Sequence, residues 1–301
     1  MEIPVPFAPE AAPETPAAVR RPAPAYPTLG ESWSIVGWYL LVTLVVGVPL
    51  YLVFEKAFAL PSGVVMGLLA AGPNLVLLGL LRWRTGKRWL PLQLKGQARP
   101  GLYAVLPLLV LATAVVLSLL GFLHLPNWMD SIFQKMMKSP VSALVTVAIA
   151  APVLEEALFR GVILQGLLRN CRPWVAIGQS ALLFGLIHFN PAQSVFAFLV
   201  GLLLGWLYYR TRSLGVCMAV HALNNSLTFL IVRWAPAAWQ KDSLLEAFGS
   251  AWRYAGAVGL SALVLTAVLW WVQRTTLPPV WALGEPVSEA VTAVALDAAA
   301  M

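Results

Sequence analysis

Eight stretches of this chain are apolar for long enough to be read as bilayer spans: 33–54, 60–81, 101–123, 141–168, 174–190, 194–209, 214–232 and 251–273. The hydrocarbon interior of a bilayer is about 30 Å thick, and a helix rising about 1.5 Å per residue needs about 20 residues to cross it. Lipid offers the backbone no hydrogen-bond partner, so each span must satisfy its own N–H and C=O groups, and a helix does so. Composition agrees, with 59% of residues hydrophobic, 11% charged and a mean hydropathy of +0.78. That is more apolar than a soluble domain of this length requires. The predicted fold class is all-α: a polytopic integral membrane protein of about eight transmembrane helices, the fifth and sixth short for spans.

The net charge of +7 does not read as a nucleic-acid footprint, because the basic residues sit between spans. With the N-terminus inside, thirteen of the 20 Lys and Arg fall in inside segments, six fall outside, and Arg160 lies within a span. This is the bias expected of a protein with both termini in the cytoplasm, most simply in the cell (inner) membrane. No apolar run precedes residue 33, so no cleavable leader is expected and the first span would serve as the insertion signal. Residues 1–32, rich in Pro and Ala, read as a disordered cytoplasmic arm, 33–273 as the transmembrane domain, and 274–301 as a cytoplasmic tail. Trp128, Ile132, Met136 and Met137 recur at helical spacing beside Asp130 and Lys135 and predict a short interfacial helix; the stretch 239–248 has a similar pattern. Cys171 and Cys217 fall in a loop and a span and read as packing residues.

Against this background the ionisable residues inside spans stand out, since a charge at mid-bilayer costs about 2.5–3.5 kcal/mol on insertion scales. The fourth span carries Glu155, Glu156 and Arg160. Glu156 and Arg160 are four residues apart, on one helix face, where they can pair. Glu155 points about 100° away, which leaves it open to act as a general base. A helix-packing salt-bridge cluster is the plainer reading of the same three residues. The fifth span places Phe184 and His188 on one face; the seventh does so for His221 and Asn225, with Asn224 adjacent. One Glu, two His and one Asn gathered in a membrane can activate water and stabilise an oxyanion. They could equally ligate a divalent metal such as zinc, through Glu155, His188 and His221. The compact His-Glu-x-x-His signature is absent.

In order along the chain, Glu155-Glu156-x-x-x-Arg160, Phe184-x-x-x-His188 and His221-x-x-x-Asn225 resemble the pattern of the CAAX prenyl endopeptidase and bacteriocin-processing (CPBP or Abi) intramembrane proteases. The likeness covers about 140–232 and implies a core of four catalytic helices. It implies an endopeptidase acting on a membrane-associated or lipidated peptide or protein, with membrane lipid as surroundings and no nucleic acid as partner. It further implies that Glu155 with His188 activates the attacking water, that His221 and Asn225 bind the oxyanion, and that Glu156 and Arg160 brace the helix. Members are described both as metalloproteases and as glutamate-dependent enzymes, and the residues fit either. A noncatalytic scaffold of the same fold is the main alternative. A proton-coupled transporter ranks below it, since no internal repeat is visible.

Overall fold

The computed structural model describes residues 24–234 and 244–277, which form ten helices. Seven are long and apolar enough to cross a membrane: α1 (Leu29–Ala57), α2 (Gly63–Thr85), α3 (Pro100–Leu123), α5 (Pro140–Asn170), α7 (Pro191–Thr211), α8 (Leu214–Trp234) and α10 (Ala251–Thr275). An eighth apolar helix, α6 (Pro173–Leu186), is shorter, and α4 (Asp130–Met137) and α9 (Leu244–Phe248) are brief. The protein is thus an all-α, polytopic membrane protein. Its outer faces are apolar: α10 has a hydropathy of 2.0, yet only 11% of its most apolar window is buried inside the protein. Facing water that surface would be untenable, whereas facing lipid it is solvated.

Proline and capping residues set the helix starts. Pro140, Pro173 and Pro191 open α5, α6 and α7, where a missing N–H costs nothing and φ is already helical. Thr28 and Glu31 form a capping box at the start of α1. That start lies inside the stretch read as a disordered arm, which therefore ends sooner than residue 32. Residues 24–28 pack on the protein: Tyr26 is buried, and the Asn170 amide donates to the carbonyls of Ala25 and Pro27. Residues 1–23 and 278–301 lie outside the described residues, as does 235–243, which holds half of the second amphipathic stretch; the other half forms α9.

In α1 and α5 a π-helical segment precedes a proline. In α5 it is Thr146–Ala150, ahead of Pro152, whose ring removes a hydrogen bond to the Ala148 carbonyl and crowds it. A second π segment, Ala157–Leu164, follows the Glu pair directly. The other clear departure from the predicted spans is α6. It ends at Leu186 and not near 190, because Pro191 forces an extended backbone on Asn190 (φ −138°, ψ 110°) and Phe189 takes a left-handed conformation at φ 48°. His188 consequently sits on a turn beyond the helix.

Helices α6 and α7 run antiparallel at close range because glycines line the contact. A Cβ at Gly201 would lie 3.1 Å from Ala181, and one at Gly205 would lie 3.0 Å from Ile177. Helix α8 packs on α5 and α3, and α10 packs on α3. Replacing Gly201 by Val is expected to force α6 and α7 apart at a cost of about 1–3 kcal/mol. Thermal unfolding in detergent measures this; an unchanged melting temperature would contradict the close-packed interface.

Candidate active site

The ion pair read from the i, i+4 spacing is present and wholly buried. Arg160 Nη1 donates to Glu156 Oε1 at 2.8 Å, with both side chains at 0% exposure. Arg160 Nη2 donates to the Gly201 carbonyl at 3.1 Å, tying α5 to α7. A third partner arrives from α8: His221 Nδ1 lies 2.9 Å from the same oxygen, Glu156 Oε1. A carboxylate only accepts, so Nδ1 carries the proton of this bond and Nε2 is turned the other way. There it meets Glu155, whose Oε2 is 3.8 Å from His221 Nε2. The two neighbouring glutamates thus grip opposite ends of one imidazole, the buried one by a hydrogen bond and the partly open one across a gap.

Phe184 joins the rest. Its ring, 2% exposed, stands edge-on to His188 (centroids 5.1 Å apart, 87°) and to His221 (5.7 Å, 86°). The Arg160 guanidinium carbon lies 4.7 Å from the centre of the same ring. Phe159 packs on it at 5.0 Å. His188 Nδ1 lies 2.8 Å from the Phe184 carbonyl, to which it donates, so its Nε2 is also free of backbone contacts. The turn that carries His188 is fixed from outside α6. Asn190 accepts from the Trp128 N–H at 2.9 Å and donates to Asn127 Oδ1 at 2.9 Å.

On α8, one turn beyond His221, Asn225 Nδ2 donates to the Val147 carbonyl at 2.9 Å, inside the first π segment of α5. Asn224 Nδ2 donates to Asn225 Oδ1 at 3.3 Å. These two bonds fix which end of the Asn225 amide is which and leave its second N–H unspent. Glu155, Phe184, His188, His221, Asn224 and Asn225 all line one cavity of about 380 Å³. Its other walls are mostly apolar, with Met66, Leu69 and Ala70 from α2 and Phe133 and Met136 from α4, but Thr146 of α5 and Gln193 of α7 add polar groups.

All seven residues singled out in the sequence therefore meet, five of them at the cavity and Glu156 and Arg160 behind it. Three features were missed. The bond between Glu156 and His221 crosses two helices and has no sequence spacing. Asn224 shows its signal only as a second amide inside a span. The walls from α2 and α4 leave no motif at all. Glu155, His188 and His221, the metal-ligand set read from the sequence, line the same cavity, and among the described residues no group of three His, Cys, Asp or Glu is drawn together as a metal site.

The site thus joins a carboxylate, two imidazoles and two amides around one internal cavity of a many-helix membrane protein. Residues 137–227 match the family model described as Type II CAAX prenyl endopeptidase Rce1-like. No curated protein and no solved structure matches the chain.

The buried pair sets a stability test. Arg160→Met strands the Glu156 charge away from water and is expected to cost about 3–5 kcal/mol. Adding Glu156→Leu removes that stranded charge and is expected to recover part of the loss. Chemical unfolding in detergent reads both; a double variant less stable than Arg160→Met would contradict the pairing.

Proposed function

We propose that the chain is an endopeptidase that hydrolyses a peptide bond of a membrane-associated or lipidated peptide, with both termini in the cytoplasm, and that Glu155 is its general base. The observation that carries this reading is the single cavity onto which Glu155, His188, His221 and Asn225 all open. The Rce1-like match supports a CAAX-type protease in general.

In the proposed reaction a water held by Glu155 and His188 Nε2 attacks the scissile carbonyl carbon, and Glu155 takes the proton it loses. The carbonyl oxygen becomes an oxyanion. The unspent N–H of Asn225 donates to it, as does Nε2–H of His221 in its imidazolium form, whose charge is held by Glu156 through Nδ1. When the C–N bond breaks, Glu155 returns the proton to the leaving amine, giving a free amine and a carboxylic acid that then loses its proton to water. The gap of 3.8 Å between Glu155 and His221 suits this division, because it sets the base and the oxyanion donor on either side of one scissile carbonyl. Every step uses side chains at the cavity or directly behind it.

Cleavage of a fluorogenic prenylated peptide by the purified protein tests the roles. Glu155→Gln, which keeps shape and removes the base, is expected to lower kcat by at least about 10³-fold. Asn225→Ala is expected to lower it about 10²–10³-fold with little change in KM, as loss of one oxyanion donor does. Full turnover by folded Glu155→Gln protein would overturn the proposal.

A further inference from the structure

Away from the catalytic cavity, a second cavity of about 350 Å³ opens on the outer surface between α3, α6, α7 and α10. It is lined by Val116 and Leu117 of α3, Trp174 of α6, Leu203 and Trp206 of α7 and Leu269 of α10, among others. Thr113, the one hydroxyl in its wall, is spent on the Leu109 carbonyl at 2.7 Å. The groove is therefore almost wholly apolar, its remaining polar groups being the indole N–H of Trp174 and Trp206, and suits a hydrocarbon chain.

One end of the groove is cationic, and the helix register shows which. Along the α6–α7 contact Gly201 meets Ala181 and Gly205 meets Ile177, so each four-residue step toward the end of α7 matches four residues back toward the start of α6. Continued one turn, this sets Arg210 level with Arg172 and Pro173. Arg210 also donates to the Gln273 carbonyl at 2.6 Å and to Thr276 Oγ1 at 3.2 Å, so the end of α10, with Arg274, lies at that same level. Arg172 and Arg274 are exposed, and Arg274 sits over the Trp270 ring. Trp174, 69% exposed, stands at this end too, the amphipathic ring expected where hydrocarbon gives way to headgroups. No Asp or Glu occurs in α3, α6, α7 or α10, so nothing in these helices neutralises the arginines. By the bias of basic residues along the chain this is the cytoplasmic side, where the leaflet surface is anionic.

We propose that this groove is a binding site for an anionic phospholipid, with one acyl chain lying along Leu203, Trp206 and Leu269 and the phosphate held between Arg172 and Arg274. Arg210 braces α7 to α10 beneath it. The site shares no lining residue with the cavity that holds Glu155 and stands whether or not the peptidase reading does.

Native mass spectrometry of the full chain in mild detergent, titrated with phosphatidylglycerol or phosphatidylcholine of matched chains, tests it. Phosphatidylglycerol is expected to bind at least about tenfold more tightly. Arg172→Gln and Arg274→Gln are each expected to weaken it about fivefold, the effect of one basic residue at a charged surface, and to leave phosphatidylcholine unchanged. Leu203→Trp, which fills the groove, is expected to reduce binding of both lipids. Glycerol 3-phosphate, a phosphate with no chains, is expected not to compete. Equal affinity for the two lipids, undiminished binding by the arginine variants, or competition by glycerol 3-phosphate would overturn the proposal. Should Leu203→Trp fail to fold, the two arginine variants, altered only at exposed positions, decide it alone.

Discussion

One oxygen atom organises the half of this protein that holds the candidate site. Glu156 Oε1 accepts from Arg160 on its own helix and from His221 on α8, in a place with no exposure to solvent. Glu156 Oε2 has no hydrogen-bond partner among the described residues, so the stabilisation of this carboxylate falls on the shared oxygen. An isolated charge there would be ruinous; with a cation and an imidazole in place it becomes a fixed anchor. Three helices depend on it, because Arg160 also holds the Gly201 carbonyl of α7. Remove the anchor and α5, α7 and α8 lose the polar cluster that joins all three.

The orientation of the cavity follows from that anchor. With Nδ1 committed to Glu156, the His221 ring must present Nε2 to Glu155, and Phe184 holds the ring edge-on in that pose. Neighbouring glutamates on one helix thereby take different environments: Glu156 sealed at 0% exposure, Glu155 at 19% on the cavity wall. A base that must exchange protons with water needs the second environment, and a base that must position an imidazole needs the first. The π segments on either side of the pair set where α5 meets α8, through Val147 and Asn225 before it and through Arg160 after it.

Much of this was legible in the sequence because membrane helices obey simple rules. Apolar length located the spans, and the i, i+4 spacing placed Glu156 with Arg160 and Phe184 with His188. What depends on rotation between helices was not legible. That Glu156 would reach His221 is set by the relative turn of α5 and α8, which two π segments alter without leaving a readable period. The end of α6 was misplaced because Ile187 and Phe189 continue the apolar run, while the backbone obeys the Asn190–Pro191 step. Helices α2 and α4 contribute only Met, Leu, Ala and Phe to the cavity, residues that look the same wherever they pack.

The central claim is that Glu155 and His221, 3.8 Å apart, act on one substrate as a unit. A double-mutant cycle on peptide cleavage, using Glu155→Gln, His221→Asn and the pair together in folded protein, measures this directly. Groups that act together fail together, so the double variant is expected to be no slower than the worse single variant, within about threefold. Losses that multiply across the two positions would mean that the residues act independently, and the shared site described here would be wrong.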